Sequence, residues 1–270
     1  MPEIPRDSLT FPESERSVLE PYMPPRNAPL QDALPFTTLT FATSLDSSIA
    51  LSPGVRTALS GPQSKAMTHY LRSRHDAILI GVGTAIADNP SLNSRLHGVV
   101  DDRQPRPVII DPTARLEITE QTRILELVRQ GCGRAPFIIT GRLDQIQSQS
   151  KLERQMRILE EHSGKYISLA TTGTQLDWTA ILQRLRTEGI KSIMIEGGGA
   201  VINDILGSSH MFIDSVIVTI APTWFGQGGV VVSPKRRFGA DGNPIPASRL
   251  RDVKWYPLGE DVVLCGRIKI

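Results

Sequence analysis

The chain has 270 residues, 40% of them hydrophobic, and a formal net charge of +2. That length holds one large domain or two small ones with ample core, and so small a charge excludes a nucleic-acid binder held by a strongly basic face. No apolar run reaches the roughly 18 residues of a membrane span, and residues 1–34 hold no apolar signal-peptide core.

Cys132 and Cys265 have no paired spacing, and the five histidines (His69, His75, His97, His162, His210) form no ligand pattern. No disulfide framework and no bound metal are expected, and a reducing, cytoplasmic setting is. Residues 1–34 carry seven prolines, Pro2, Pro5, Pro12, Pro21, Pro24, Pro25 and Pro29, among few alternating apolar residues. We read them as an N-terminal extension that buries little surface and lies extended over a domain spanning 35–270.

The domain opens with a β-branched, aromatic strand at 36–42, followed by a polar turn at 44–48. Ser60-Gly61-Pro62-Gln63 reads as a capping box starting a helix through Met67, Tyr70 and Leu71. A buried strand at 76–82 feeds a short helix, with Thr84 as its cap and Asn89-Pro90 as its stop. Strands at 107–111, 137–140 and 166–170 then alternate with helices at 120–129, 147–161 and 178–187, the last capped by Asp177. Ser192 to Glu196 is a strand running into Gly197-Gly198-Gly199 and a helix at 200–206. A strand at 212–220, a long Gly- and Pro-rich loop at 221–246 and an antiparallel pair at 251–255 and 262–268 close the chain. This is an α/β fold: a mostly parallel central sheet with helices on both faces and an antiparallel C-terminal edge.

Ligands in such sheets bind at the carboxyl ends of the strands. Two of those ends are glycine-bearing strand–helix junctions, Gly81-Val82-Gly83-Thr84 and Glu196-Gly197-Gly198-Gly199. Each is either a tight turn or a phosphate cradle, and together they can clamp a two-phosphate ligand from both sides. The third glycine of the dinucleotide fingerprint is missing, because Ile202 stands there. Asp88 lies one helical turn beyond Thr84, so both can face one ligand. Glu196 ends an apolar strand, where a carboxylate must be desolvated or paired. Lys65, Arg72, Arg95 and Arg56 suit a substrate phosphate. Asp46 and Arg142, each after a strand, are further candidates. No serine-hydrolase, Walker, zinc-protease or zinc-deaminase motif occurs. What remains is an enzyme whose cofactor brings the chemistry.

Several of these stretches are similar, in order, to the riboflavin-pathway reductases. They are residues 36–46, Ser64-Lys65-Ala66-Met67-Thr68-His69-Tyr70-Leu71-Arg72, residues 76–95 and Ile195-Glu196-Gly197-Gly198-Gly199. The resemblance spans 35–270 and is closest to the stand-alone type without a deaminase domain. It implies a dihydrofolate-reductase-like fold, a homodimer, and NADPH as hydride donor to C1′ of a ribosylamino-pyrimidinone phosphate in its opened imine form. It implies cofactor contacts at Thr84, Asp88, Ala170, Gly197, Gly198, Gly199, Ala200 and Val201. Arg72, Leu92, Arg95 and Glu196 match substrate-side positions, with Glu196 as the catalytic candidate. Ser47 stands where the family usually carries glycine, and Ala58 near where some members carry tryptophan. Rival readings are a reductase of another pterin- or pyrimidine-like substrate and a nucleotide binder without turnover. Lys65, Arg72 and Arg95 favour a phosphorylated substrate.

Overall fold

The computed structural model describes residues 8–26, 34–55, 57–99, 103–143, 149–172, 175–208, 210–239, 241–245 and 247–269. Its first five strands are β1 (Phe36–Thr43), β2 (Ser48–Ala50), β3 (Ala77–Gly81), β4 (Arg106–Ile110) and β5 (Phe137–Thr140). There follow β6 (Lys165–Ser168), the short β7 (Thr171–Thr172) and β8 (Gln175–Leu176), β9 (Ser192–Gly197) and β10 (Ser215–Ile220). The last three are β11 (Val230–Val231), β12 (Leu250–Leu258) and β13 (Asp261–Ile268). The helices are α1 (Glu13–Leu19), α2 (Pro62–Ser73), α3 (Val82–Asp88), α4 (Arg123–Arg129), α5 (Gln149–Glu161), α6 (Trp178–Thr187) and α7 (Gly199–Ser208).

Nine strands form one sheet in the order β12-β13-β10-β1-β9-β3-β4-β5-β6. From β10 to β6 every pairing is parallel, while β13 and β12 add antiparallel at the edge. The apolar runs of β3 and β5 follow from this, because a strand covered on both faces has no solvent side. Leu79 and Ile195 face the helices α6 and α7, through Ile181, Leu185, Ile202 and Ile205. Ile78 and Ile80 point the other way, against α3, α4 and α5. Met194 and Ile217 pack on that same face against α2 and the N-terminal segment. The chain steps outward from β3 to β6 and then returns to insert β9 between β1 and β3. That reversal is the switch point at which open α/β sheets hold ligands.

Three local expectations are corrected. Residues 8–26 are not an extended stretch that buries little: they contain α1, and Phe11, Leu19, Tyr22 and Met23 are core residues. The reason is that their apolar side chains are spaced to meet α2 and β13 rather than each other. Ser60 does not cap α2; Gly61 is the N-cap, and its N–H donates instead to Asp261 Oδ2 at 2.9 Å. Thr84 lies inside α3, whose N-cap is Gly81, so its hydroxyl is released for a longer-range bond. Asp177 does cap α6, its carboxylate accepting from the Thr179 and Ala180 N–H groups. Asp177→Ala is expected to cost about 1 kcal/mol of stability, measured as a lower denaturant midpoint at unchanged slope.

Candidate active site

The ends of four strands converge on one cavity of about 510 Å³: Thr40 to Ala42 of β1, Gly81 of β3, Glu196 of β9 and Thr219 of β10 line it. Both glycine-bearing junctions open into it. From the first come Gly83, Thr84 and Asp88; from the second come Gly198, Gly199, Ala200 and Val201. Gly198 N–H donates to Thr84 Oγ1 at 3.0 Å, which ties the two turns together. A β-carbon on Gly198 would lie 2.5 Å from that oxygen, so the bond requires glycine there. Gly197 turns the chain at φ +105° and packs on Ile202, and the Gly197–Gly198 peptide is cis. Gly199, Ala200 and Val201, the first residues of α7, line the cavity, so the positive end of that helix lies beside it.

The cavity is open at Gly83, where an added β-carbon meets nothing within 4 Å. A helix N-terminus and two glycine turns supply the N–H donors and close approach that a pyrophosphate needs. The residues present fit such a cofactor.

Glu196 is presented to the cavity by an irregularity in its strand. Leu79 of β3 pairs with Ile195 and Ile80 with Gly197, which leaves Glu196 as the extra, bulged residue. Bulges re-aim side chains. Here the carboxylate meets Arg72 of α2 in a two-pronged bond, Nε to Oε1 and Nη2 to Oε2, both 2.7 Å. Arg72 Nη1 also donates to the Asn93 carbonyl at 3.1 Å. The two side chains are only 14% and 16% exposed. A pair this desolvated is stable as a pair, and removing one partner strands the other.

Arg72 is thus held by Glu196. Neither Lys65, in the first turn of α2, nor Arg95 lines the cavity; both lie near a residue midway along α2 that the sequence reading missed. His69 is buried, and its Nδ1 accepts from the Arg95 N–H at 2.9 Å. Its only signal in the sequence is its place on α2, four residues after Lys65 and three before Arg72. Burial, and then the charges of Arg72, Arg95 and Lys65, push its pKa down to about 3. His75, buried on Thr38 and Leu71, is pushed down by burial to about 4. Both folded values lie below the free-histidine value near 6.5, so the unfolded chain takes up these protons first. Stability is full above pH 6.5 and falls as acid is added toward pH 4. The expected loss is about 1.4 kcal/mol per pH unit for each histidine, and His69→Gln removes one of the two contributions. Denaturant midpoints at pH 7 and pH 5 measure this.

The remaining expected residues fall as follows. Leu92 is buried in the loop between α3 and β4, at φ 45°. Ala170 follows β6, is exposed, and is outside the cavity lining, as is Gly197. Asp46 accepts from the Gly226 N–H at 2.7 Å and from Phe225 and Ser44, so it tethers the long loop. Hydrogen bonds, first from Ser44, hold its carboxyl below the usual range. Ser47 sits at φ 62°, the left-handed region that favours glycine. Arg142 follows β5 and is exposed; Arg56 lies outside the described residues. Part of the long loop does reach the site: β11 pairs with β2, and Val230 lines the cavity. The wall formed by Ile49, Ser52, Val55 and Thr57 carried no motif and was not anticipated.

Among the described residues, no helix is long and apolar enough to cross a membrane. Comparison with known proteins gives a consistent answer. The chain is 38% identical over 264 residues to the 2,5-diamino-6-ribosylamino-4(3H)-pyrimidinone 5′-phosphate reductase of Debaryomyces hansenii, covering 96% of this chain and 98% of that one. The protein of the same name from Saccharomyces cerevisiae is 35% identical, with 93% of each chain covered. The solved structure of a Saccharomyces riboflavin biosynthesis reductase matches with a TM-score of 0.74 at 32% identity, over 95% of this chain and all of that one. The mostly parallel α/β sheet with an antiparallel C-terminal edge, expected from the sequence, is the one observed. The family model of the RibD C-terminal domain matches residues 35–264, and the chain belongs to that family.

Proposed function

We propose that this chain is the NADPH-dependent reductase of riboflavin biosynthesis that converts 2,5-diamino-6-ribosylamino-4(3H)-pyrimidinone 5′-phosphate to its ribitylamino product. The observation that carries this reading is a single cavity with a two-turn glycine cradle on one wall and the paired carboxylate of Glu196 on another. The reading takes residues 35–270 as the reductase domain and 1–34 as its extension, working as a cytoplasmic homodimer.

In this reading Thr84, Asp88 and the turn from Gly197 to Val201 hold the dinucleotide, with Ala170 at the sheet edge beyond. When bound, the nicotinamide supplies the hydride for C1′. The protein's own residues prepare that carbon. Lys65 and Arg95 attract the substrate phosphate, and Leu92 shapes the loop beside them. Glu196 places negative charge where the opened imine carries its proton on nitrogen, which favours the electrophilic form. Arg72 fixes the orientation of that carboxylate. Holding the two reacting carbons in register supplies much of the barrier lowering, since a bimolecular step becomes effectively unimolecular.

The test is NADPH absorbance in the presence of purified protein and enzymatically generated substrate. Absorbance loss with a ribitylamino product is the expected result. Bound NADPH with no loss turns the assignment toward another pterin- or pyrimidine-like substrate.

A further inference from the structure

We propose that residues 8–26 act as a strap that positions Arg95, and that the N–H of Leu9 is its working contact. The proposal rests on the reading above, in which Arg95 meets the substrate phosphate.

The loop between α3 and β4 is held residue by residue. Asn93 donates to the Cys132 carbonyl at 2.8 Å, and the Ser94 N–H donates to Gln104 at 2.8 Å. Ser94 Oγ donates to the His69 carbonyl at 2.7 Å. At Arg95 the hold changes hands. Its N–H donates to His69 Nδ1, and its carbonyl accepts from the Leu9 N–H at 2.8 Å. The His97 N–H returns to the Leu9 carbonyl at 2.8 Å, so Leu9 and Leu96 form a short parallel bridge. The backbone of Arg95 is thus pinned on one side by α2 and on the other by the N-terminal segment.

The segment is anchored well enough to serve. Phe11 stacks on Tyr70 of α2, with ring centres 5.4 Å apart, and the Arg16 guanidinium lies 5.2 Å from the same ring. Glu20 pairs with Arg74 at the end of α2 and accepts from the Tyr70 hydroxyl. Arg267 of β13 donates to the Pro21 carbonyl at 2.7 Å. The strap grips α2 through Tyr70, next in sequence to His69. The family model begins at residue 35, outside the strap. The match to the Debaryomyces reductase covers 96% of this chain, so most of the segment lies within it. Most of it is thus matched in that reductase while lying outside the family model.

Leu9→Pro removes the N–H and keeps the carbonyl; Leu9→Ala keeps both. Steady-state kinetics on the full chain are read with melting temperatures. Leu9→Pro is expected to raise KM for the pyrimidine phosphate about fivefold, the net worth of one hydrogen bond, with kcat and KM for NADPH unmoved. Leu9→Ala, which trims a side chain packed on the cluster around Tyr70 but keeps both backbone bonds, is expected to lower the melting temperature slightly while leaving the substrate KM within about twofold of the parent. Deleting residues 1–10 repeats the Leu9→Pro result and replaces it if that variant does not fold. An unchanged substrate KM in both overturns the strap, as does a rise in both KM values together with a fall in melting temperature. Arg95→Ala separates the two levels. If it raises substrate KM while Leu9→Pro does not, only the strap fails; if it leaves KM unchanged, the site reading fails and the strap with it.

Discussion

Glu196→Gln is expected to lower kcat by about three orders of magnitude, within the range for removing a group that acts on a proton in the reacting centre. The substitution preserves shape, and the glycine cradle lies beyond the side chain. Nucleotide affinity, read by fluorescence titration, is therefore expected to stay within about threefold of the parent. Two effects combine in the loss. The charge facing the cavity disappears, and the fork with Arg72 is broken. An amide offers one acceptor and one donor where the guanidinium presents two donors, so one of the two 2.7 Å bonds is lost. Arg72 is left buried without its counter-charge, which costs about 3 kcal/mol of stability or more. Arg72→Lys distinguishes the contributions. It keeps a cation near Glu196 but loses the planar fork, so kcat falls less while the melting temperature still drops. A Glu196→Gln enzyme within tenfold of the parent in kcat would remove this carboxylate from the reaction.

The sequence revealed the frame of the molecule more readily than its couplings. Period-2 and continuous apolar runs located each strand of the main sheet to within a few residues, because a doubly covered sheet leaves little choice of composition. The two glycine turns were legible for the same reason: a backbone that must turn sharply at the end of a strand requires them. Pairing was not legible. Arg72 and Glu196 are 124 residues apart, and their meeting depends on β9 inserting beside β3. A strictly alternating strand would put Glu196 on the same face as Met194, toward α2, so a hint was present in the register. Thr84 was misread as a cap because its partner, the Gly198 N–H, comes from a distant turn. The N-terminal segment was misjudged from its prolines. Its four core residues, Phe11, Leu19, Tyr22 and Met23, have no period of their own, since they fit a surface supplied by α2 and β13. His69 looks like any helix residue until Arg95 is brought to it.

Gly83→Leu is expected to move folding and binding in opposite directions. Gly83 is exposed in the first turn of α3, and a β-carbon added there meets nothing within 4 Å. Leucine is a better helix former than glycine, by about 0.5–1 kcal/mol, so the variant is expected to melt at or above the temperature of the parent. The same side chain projects into the cavity beside Thr84 and Asp88, in the space where the proposed dinucleotide passes between the two turns. Nucleotide affinity is expected to fall at least about a hundredfold, equivalent to some 2.7 kcal/mol. Few substitutions separate these effects so cleanly. Gly198→Ala also blocks the site, but its β-carbon would sit 2.5 Å from Thr84 Oγ1, so lost binding and lost packing arrive together. With Gly83→Leu a stable protein that fails to bind identifies the cradle as the dinucleotide site. A stable protein that binds as the parent does would place the cofactor away from α3, and the roles of Thr84 and Asp88 would fall with it.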